Sequence, residues 1–115
     1  MPRQIYNPAL AVEFSETKMN KVNLYESPKL FCDVYCLLPG QSQKAHTHAG
    51  NDKIYYALSG TCHVQLGDEI SPLGPGEVAV ATAGQVHGVE NRSDQPATLL
   101  VVMAPHPRLA DSTSG

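Results

Sequence analysis

The sequence holds no apolar run approaching the ~20 residues needed to cross a bilayer, so a membrane-spanning helix is not expected. It has no phosphate-cradling glycine loop, no serine nucleophile elbow and no basic patch. A net charge of −3 gives no electrostatic reason to bind nucleic acid or an anionic membrane. Cysteine is scarce: Cys32, Cys36 and Cys62 fit neither a paired disulfide framework nor a zinc-knuckle spacing. We read all three as small buried hydrophobes in a reducing compartment. Internal repeats of solenoid length are absent. The start, Met1-Pro2-Arg3-Gln4, lacks the apolar stretch of a signal peptide, so the cytoplasm is the expected compartment.

What is present suits one domain over residues 1–115, with 42% hydrophobic and 17% charged residues. Glycine and proline, nine of each, punctuate the chain at short intervals. Between them lie segments rich in β-branched, aromatic and apolar residues: 22–26, 30–38, 53–58, 61–66, 77–81 and 97–103. Such spacing predicts an all-β sandwich or barrel with its core over 22–104, an N-terminal arm 1–21 and a tail 105–115. Residues 8–14 could hold a helical turn, and Ala110 to Gly115 reads as a frayed end. In 61–66, Cys62, Val64 and Leu66 alternate with Thr61, His63 and Gln65, as on a strand with one face in a core. Leu99 to Met103 is apolar throughout, which places it centrally in a sheet or under a partner chain.

His46 and His48 are separated by one residue, which on a strand sends both side chains to one face. His87 lies in a later strand-like segment. Three neutral imidazoles suit a divalent ion such as Fe, Mn, Ni or Zn and leave positions for water or substrate. Taken alone, a His-x-His pair reads equally well as two polar residues near a turn. The surroundings add to it. Gly40 is followed after five residues by His46, Thr47 and His48, then after four by Lys53 and after six more by Gly60. Gly76 is followed after five residues by Thr82, Ala83 and Gly84, after two by His87 and after three more by Asn91.

These two runs resemble the paired motifs of the cupin superfamily, closely over residues 40–91 and loosely elsewhere. The resemblance implies a double-stranded β-helix, a small jelly-roll barrel with the metal near one mouth. It also implies a homodimer, with terminal strands shared across the interface. Cupins usually carry proline where this chain has Thr82, a turn position that does not touch the chemistry.

One departure does touch it: Lys53 occupies the position of the family's glutamate ligand. A lysine ammonium ~5 Å from a divalent ion is repelled by roughly 6–7 kcal/mol at an effective dielectric of ~20. Lys53 can be neutral, its pKa depressed by metal and burial, and then act as a base. Charged, it can pair with a carboxylate substrate, or it can salt-bridge Asp52 or Glu90 at the rim. A local bulge can instead turn Asp52 inward as a fourth ligand. Or the metal is absent and the pocket is cationic.

Tyr55 shares the face of Lys53, as a pocket hydroxyl or a satisfied core aromatic. By the parity of His46, Ser42 and Lys44 edge the mouth and Gln43 faces away. His63 falls on the polar face of its strand, and His106, between two prolines, reads as a surface residue beyond the barrel. The expected activity is a metal-dependent oxygenase, isomerase or lyase on a small organic molecule, with a non-catalytic binding or sensor barrel as the alternative.

Overall fold

β-branched and aromatic segments bounded by proline and glycine pair into two antiparallel sheets in the computed structural model, which describes residues 4–109. A 3₁₀ helix, Pro8–Ala11, precedes β1 (Asn20–Ser27), β2 (Leu30–Leu37) and β3 (Ser42–His46). The chain continues through β4 (Asp52–Ser59), β5 (Cys62–Leu66) and β6 (Glu69–Leu73). It ends with β7 (Val78–Ala81), β8 (His87–Glu90) and β9 (Ala97–Ala104). One sheet has the order β1-β2-β9-β4-β7 and the other β3-β8-β5-β6. This is the expected double-stranded β-helix.

All six strand segments read from the sequence are present. The strands that were not read, β3 and β6, lack the usual signal. The first is polar, Ser-Gln-Lys-Ala-His. The second carries Pro72 and lies at a sheet edge, where a missing amide costs no ladder bond. His87, expected in a strand-like segment, opens β8, only four residues long. Residues 110–115, expected to fray, lie outside the described range.

The core fills the space between the sheets with Tyr35, Leu37, Tyr55, Ala57, Val64, Val89, Leu99 and Val101 among others. In β4 the alternation is strict: Lys53, Tyr55 and Ala57 are buried, while Asp52, Ile54 and Tyr56 are exposed. The unbroken apolar run of β9 follows from its place between β2 and β4, the first of the two alternatives above. Cys36 and Cys62 are buried as expected, and all three thiols are free. Cys32 corrects the reading: it sits half-buried, cross-strand from Val102. Val102 also pairs with Ile54, and Ile54 with Val80, so one row of apolar side chains crosses the outer face of the larger sheet. Among the described residues, no helix is long and apolar enough to cross a membrane.

Candidate metal centre

The histidines meet because β3 and β8 are neighbours. His46, the last residue of β3, is directly opposite His87, the first residue of β8. His48 lies beyond the strand end, where its carbonyl accepts from Gly84 N–H at 2.8 Å. Ring centroids are 4.4 Å apart for His46 and His87, 4.9 Å for His46 and His48, and 5.6 Å for His48 and His87. One ligand atom from each residue lies within 4.8 Å of the other two.

Two of the rings are oriented by backbone carbonyls. Nδ1 of His46 is 2.7 Å from Lys44 O, and Nδ1 of His87 is 3.0 Å from Gln85 O. A carbonyl can only accept, so each Nδ1 carries the proton and each Nε2 presents a lone pair, the tautomer a metal requires. Nε2 of His87 is buried and has no hydrogen-bond partner among the described residues. An orphaned buried acceptor is costly, and a cation there would satisfy it. Desolvation is the main cause that lowers the pKa of both His48 and His87, which keeps them neutral and able to ligate. The donor set fits a divalent ion.

Beside the histidines opens a cavity of about 460 Å³ whose lining includes His46, His48, Lys53, Gln43, Tyr35 and Asp33. Lys53 points into it, only 2% exposed, and donates to Gln43 Oε1 at 3.1 Å. Its ammonium lies 5.2 Å from the Tyr35 ring centroid and 5.3 Å from that of Tyr55. Burial, reinforced by the charge of Lys21 and opposed by that of Asp33, brings the Lys53 pKa down to about 7. No ion pair joins it to Asp52 or Glu90.

Several expectations are corrected. No bulge turns Asp52 inward: β4 pairs regularly there, and the exposed carboxylate accepts from Ala83 N–H at 2.9 Å. Asp52 therefore does not join the histidine group. The irregularity lies in β3, between Gln43 and His46, and it brings Gln43 to the cavity beside His46. Ser42 and Lys44, expected at the mouth, are exposed and absent from that lining. His106 is no surface residue. It is 1% exposed, its Nε2 is 2.8 Å from Glu26 Oε1, and it lines the cavity, because the segment after β9 folds back so that His106 N–H reaches Pro28 O. The tertiary return of the chain, invisible in local pattern, buries it.

Tyr55 is fully buried in the core with 6.5 Å between its ring and that of His87. Its hydroxyl has no partner among the described residues, unlike a satisfied core tyrosine. His63 is partly exposed and stands apart from the trio. Asp33 and Tyr35 were missed as cavity residues. The signal was available, since Asp33 is the one charge inside the apolar run of β2 and Tyr35 shares its face. Asn91 closes the second motif structurally: Nδ2 donates to Leu37 O and Gln95 O, and Oδ1 accepts from the Ser93 amide and hydroxyl.

The family model described as "Cupin domain" matches residues 33–103. The crystal structure of TT1209 from Thermus thermophilus is similar, with a TM-score of 0.89 and 46% identity, covering 91% of this chain and 100% of that one. Tetracenomycin polyketide synthase protein TcmJ of Streptomyces glaucescens is 36% identical over 60% of this chain, which spans 46% of TcmJ. The oxalate-binding protein of Thermotoga maritima is 28% identical over 74% of this chain and 69% of its own length.

Proposed function

The chain belongs to the cupin family, and from that premise we propose that it is a metal-dependent enzyme of oxygenase, isomerase or lyase type acting on a small organic molecule. The observation that carries this reading is the buried, unpartnered Nε2 of His87, grouped with His46 and His48, which themselves line an open cavity. A divalent Fe, Mn, Ni or Zn ion held by those three nitrogens would supply Lewis acidity or redox chemistry, with positions left for a ligand. Lys53 is the proposed catalytic side chain; Tyr55, expected beside it, is fully buried in the core and absent from the cavity lining. With its pKa brought near neutrality, the Lys53 amine is suited to take or return a proton at Nζ.

The test begins with elemental analysis of the purified protein and of His46→Ala, His48→Ala and His87→Ala. Each substitution is expected to lower metal affinity about ten-fold or more, and stoichiometry unchanged in all three would overturn the reading. Activity is then separated from binding by the ion. Bound iron whose optical spectrum changes with O₂ and a substrate supports an oxygenase. Tightly held zinc without exchangeable water supports the second reading, a non-catalytic small-molecule barrel, which the similarity to an oxalate-binding protein favours.

A second copy of the chain is the proposed protein partner, supported by the exposed apolar row on the larger sheet, where Ile54 is 40% and Val80 48% exposed. The free thiols support the cytoplasm as compartment.

A further inference from the structure

In its protonated form Lys53 is a cation buried in a cavity wall without an anion to pair with. Its ammonium offers three donors, and Gln43 Oε1 takes one. The flanking Tyr35 and Tyr55 faces are attractive but accept no further strong hydrogen bond. Among the described residues, no carboxylate lies within ion-pairing distance of Nζ. Buried charges are ordinarily paired, because an unpaired one loses its hydration without compensation.

The lining of the same cavity also includes a carboxylate. Asp33 is 9% exposed and accepts a single side-chain hydrogen bond among the described residues, from Asn23 Nδ2 at 2.8 Å. A carboxylate accommodates about four donors, so Asp33 also has acceptor capacity to spare. Phe31 and Met103 line the cavity as well and offer no strong hydrogen-bonding group.

We propose that the ligand of this cavity is a small carboxylate carrying hydroxyl groups, its carboxylate held by Lys53 and a hydroxyl donated to Asp33. This rests on the cavity being the ligand site of the function proposed above, and it names the substrate class for that site. A simple fatty acid leaves the spare acceptor capacity of Asp33 unused, and a neutral polyol leaves Lys53 without an anion. A volume of about 460 Å³ leaves room for an acid of several carbons. An anion beside Lys53 also offsets the repulsion between its ammonium and a cation at the histidines.

The test is calorimetric titration of the full chain with glycerate, propionate and glycerol, in zinc-loaded and chelator-stripped samples. Glycerate is expected to bind at least ten-fold more tightly than propionate or glycerol. Lys53→Met is expected to weaken both acids ten-fold or more, and Asp33→Asn to erase the advantage of glycerate over propionate. Thermal melts establish that each variant is folded, and Lys53→Gln stands in if the methionine variant is not. Equal affinity for glycerate and propionate in the wild type would overturn the proposal. So would undiminished glycerate binding in the Lys53 variants, or no heat from either acid at millimolar concentration. Zinc titration of the same samples reads the metal site separately. Zinc failing to bind while glycerate binding still needs Lys53 would sink the metal reading and leave the ligand class standing.

Discussion

At the scale of single residues, Lys53 couples stability to pH. Its pKa in the folded protein is about 7 against an ordinary 10.5. Below pH 7 both folded and unfolded states carry the proton, and the penalty for burying it is complete. Between 7 and 10.5 the unfolded lysine keeps a proton that the folded one has lost, so stability rises with pH. The gain is on the order of 5 kcal/mol at about 1.36 kcal/mol per pK unit. Urea midpoints of the metal-free protein and of Lys53→Met should therefore differ most near pH 6, with the variant more stable, and converge toward pH 10. A constant difference would show that burial of this charge is not what separates them. Asn91 makes the contrasting case. It is fully buried with both ends of its amide satisfied, so Asn91→Ala should cost about 2–4 kcal/mol by leaving carbonyls and an amide unpaired. Equilibrium unfolding measures that loss, and zinc affinity per folded molecule should not change.

At the scale of elements, the metal centre depends on how closely β3 approaches β8. A Cβ on Gly88 would stand 2.9 Å from the Ala45 backbone and from Gln43 O, so only glycine permits the irregular β3 to pass there. Gly88→Ala is expected to push β3 outward and separate His46 from its cross-strand neighbour His87. Competition with a chromophoric chelator should show zinc affinity reduced about ten-fold or more; unchanged affinity would mean that strand spacing does not set the site. Gly60 has the same close fit at the other motif, with a Cβ 2.4 Å from Pro96 O and a backbone φ of +68°. That crowding bears on the fold and lies away from the histidines.

At the scale of the molecule, the larger sheet has two differently covered faces. Its inner face meets the core and the cavity. On its outer face the N-terminal arm reaches Cys36, whose sulfur accepts from Glu13 N–H at 3.5 Å, while Ile54, Tyr56, Val78 and Val80 stay open at 37–55% exposure. This exposed apolar row is the surface proposed above for a second copy of the chain. If a second copy covers it, light scattering should give twice the protomer mass, and Ile54→Lys with Val80→Lys should return the single mass with zinc binding intact. A monomeric wild type at micromolar concentration would remove the homodimer.

The sequence by itself determined the strands whose burial alternates, the barrel they form and the identity of the three imidazoles. Period-two patterning and motif spacing are local properties, and the residues 61–66 or the pair of glycine-bounded histidine runs display them directly. Only the tertiary structure decided which side chains share the cavity. An irregularity in β3 reversed the parity assigned to Gln43, and the regular register of β4 kept Asp52 outside and Lys53 inside. The return of the chain after β9 buried His106 against Glu26, a residue 80 positions away in sequence. Register, bulges and chain return are fixed by pairing between distant segments. No local pattern encodes them, and they place Lys53 and Asp33 in one chamber beside the histidines.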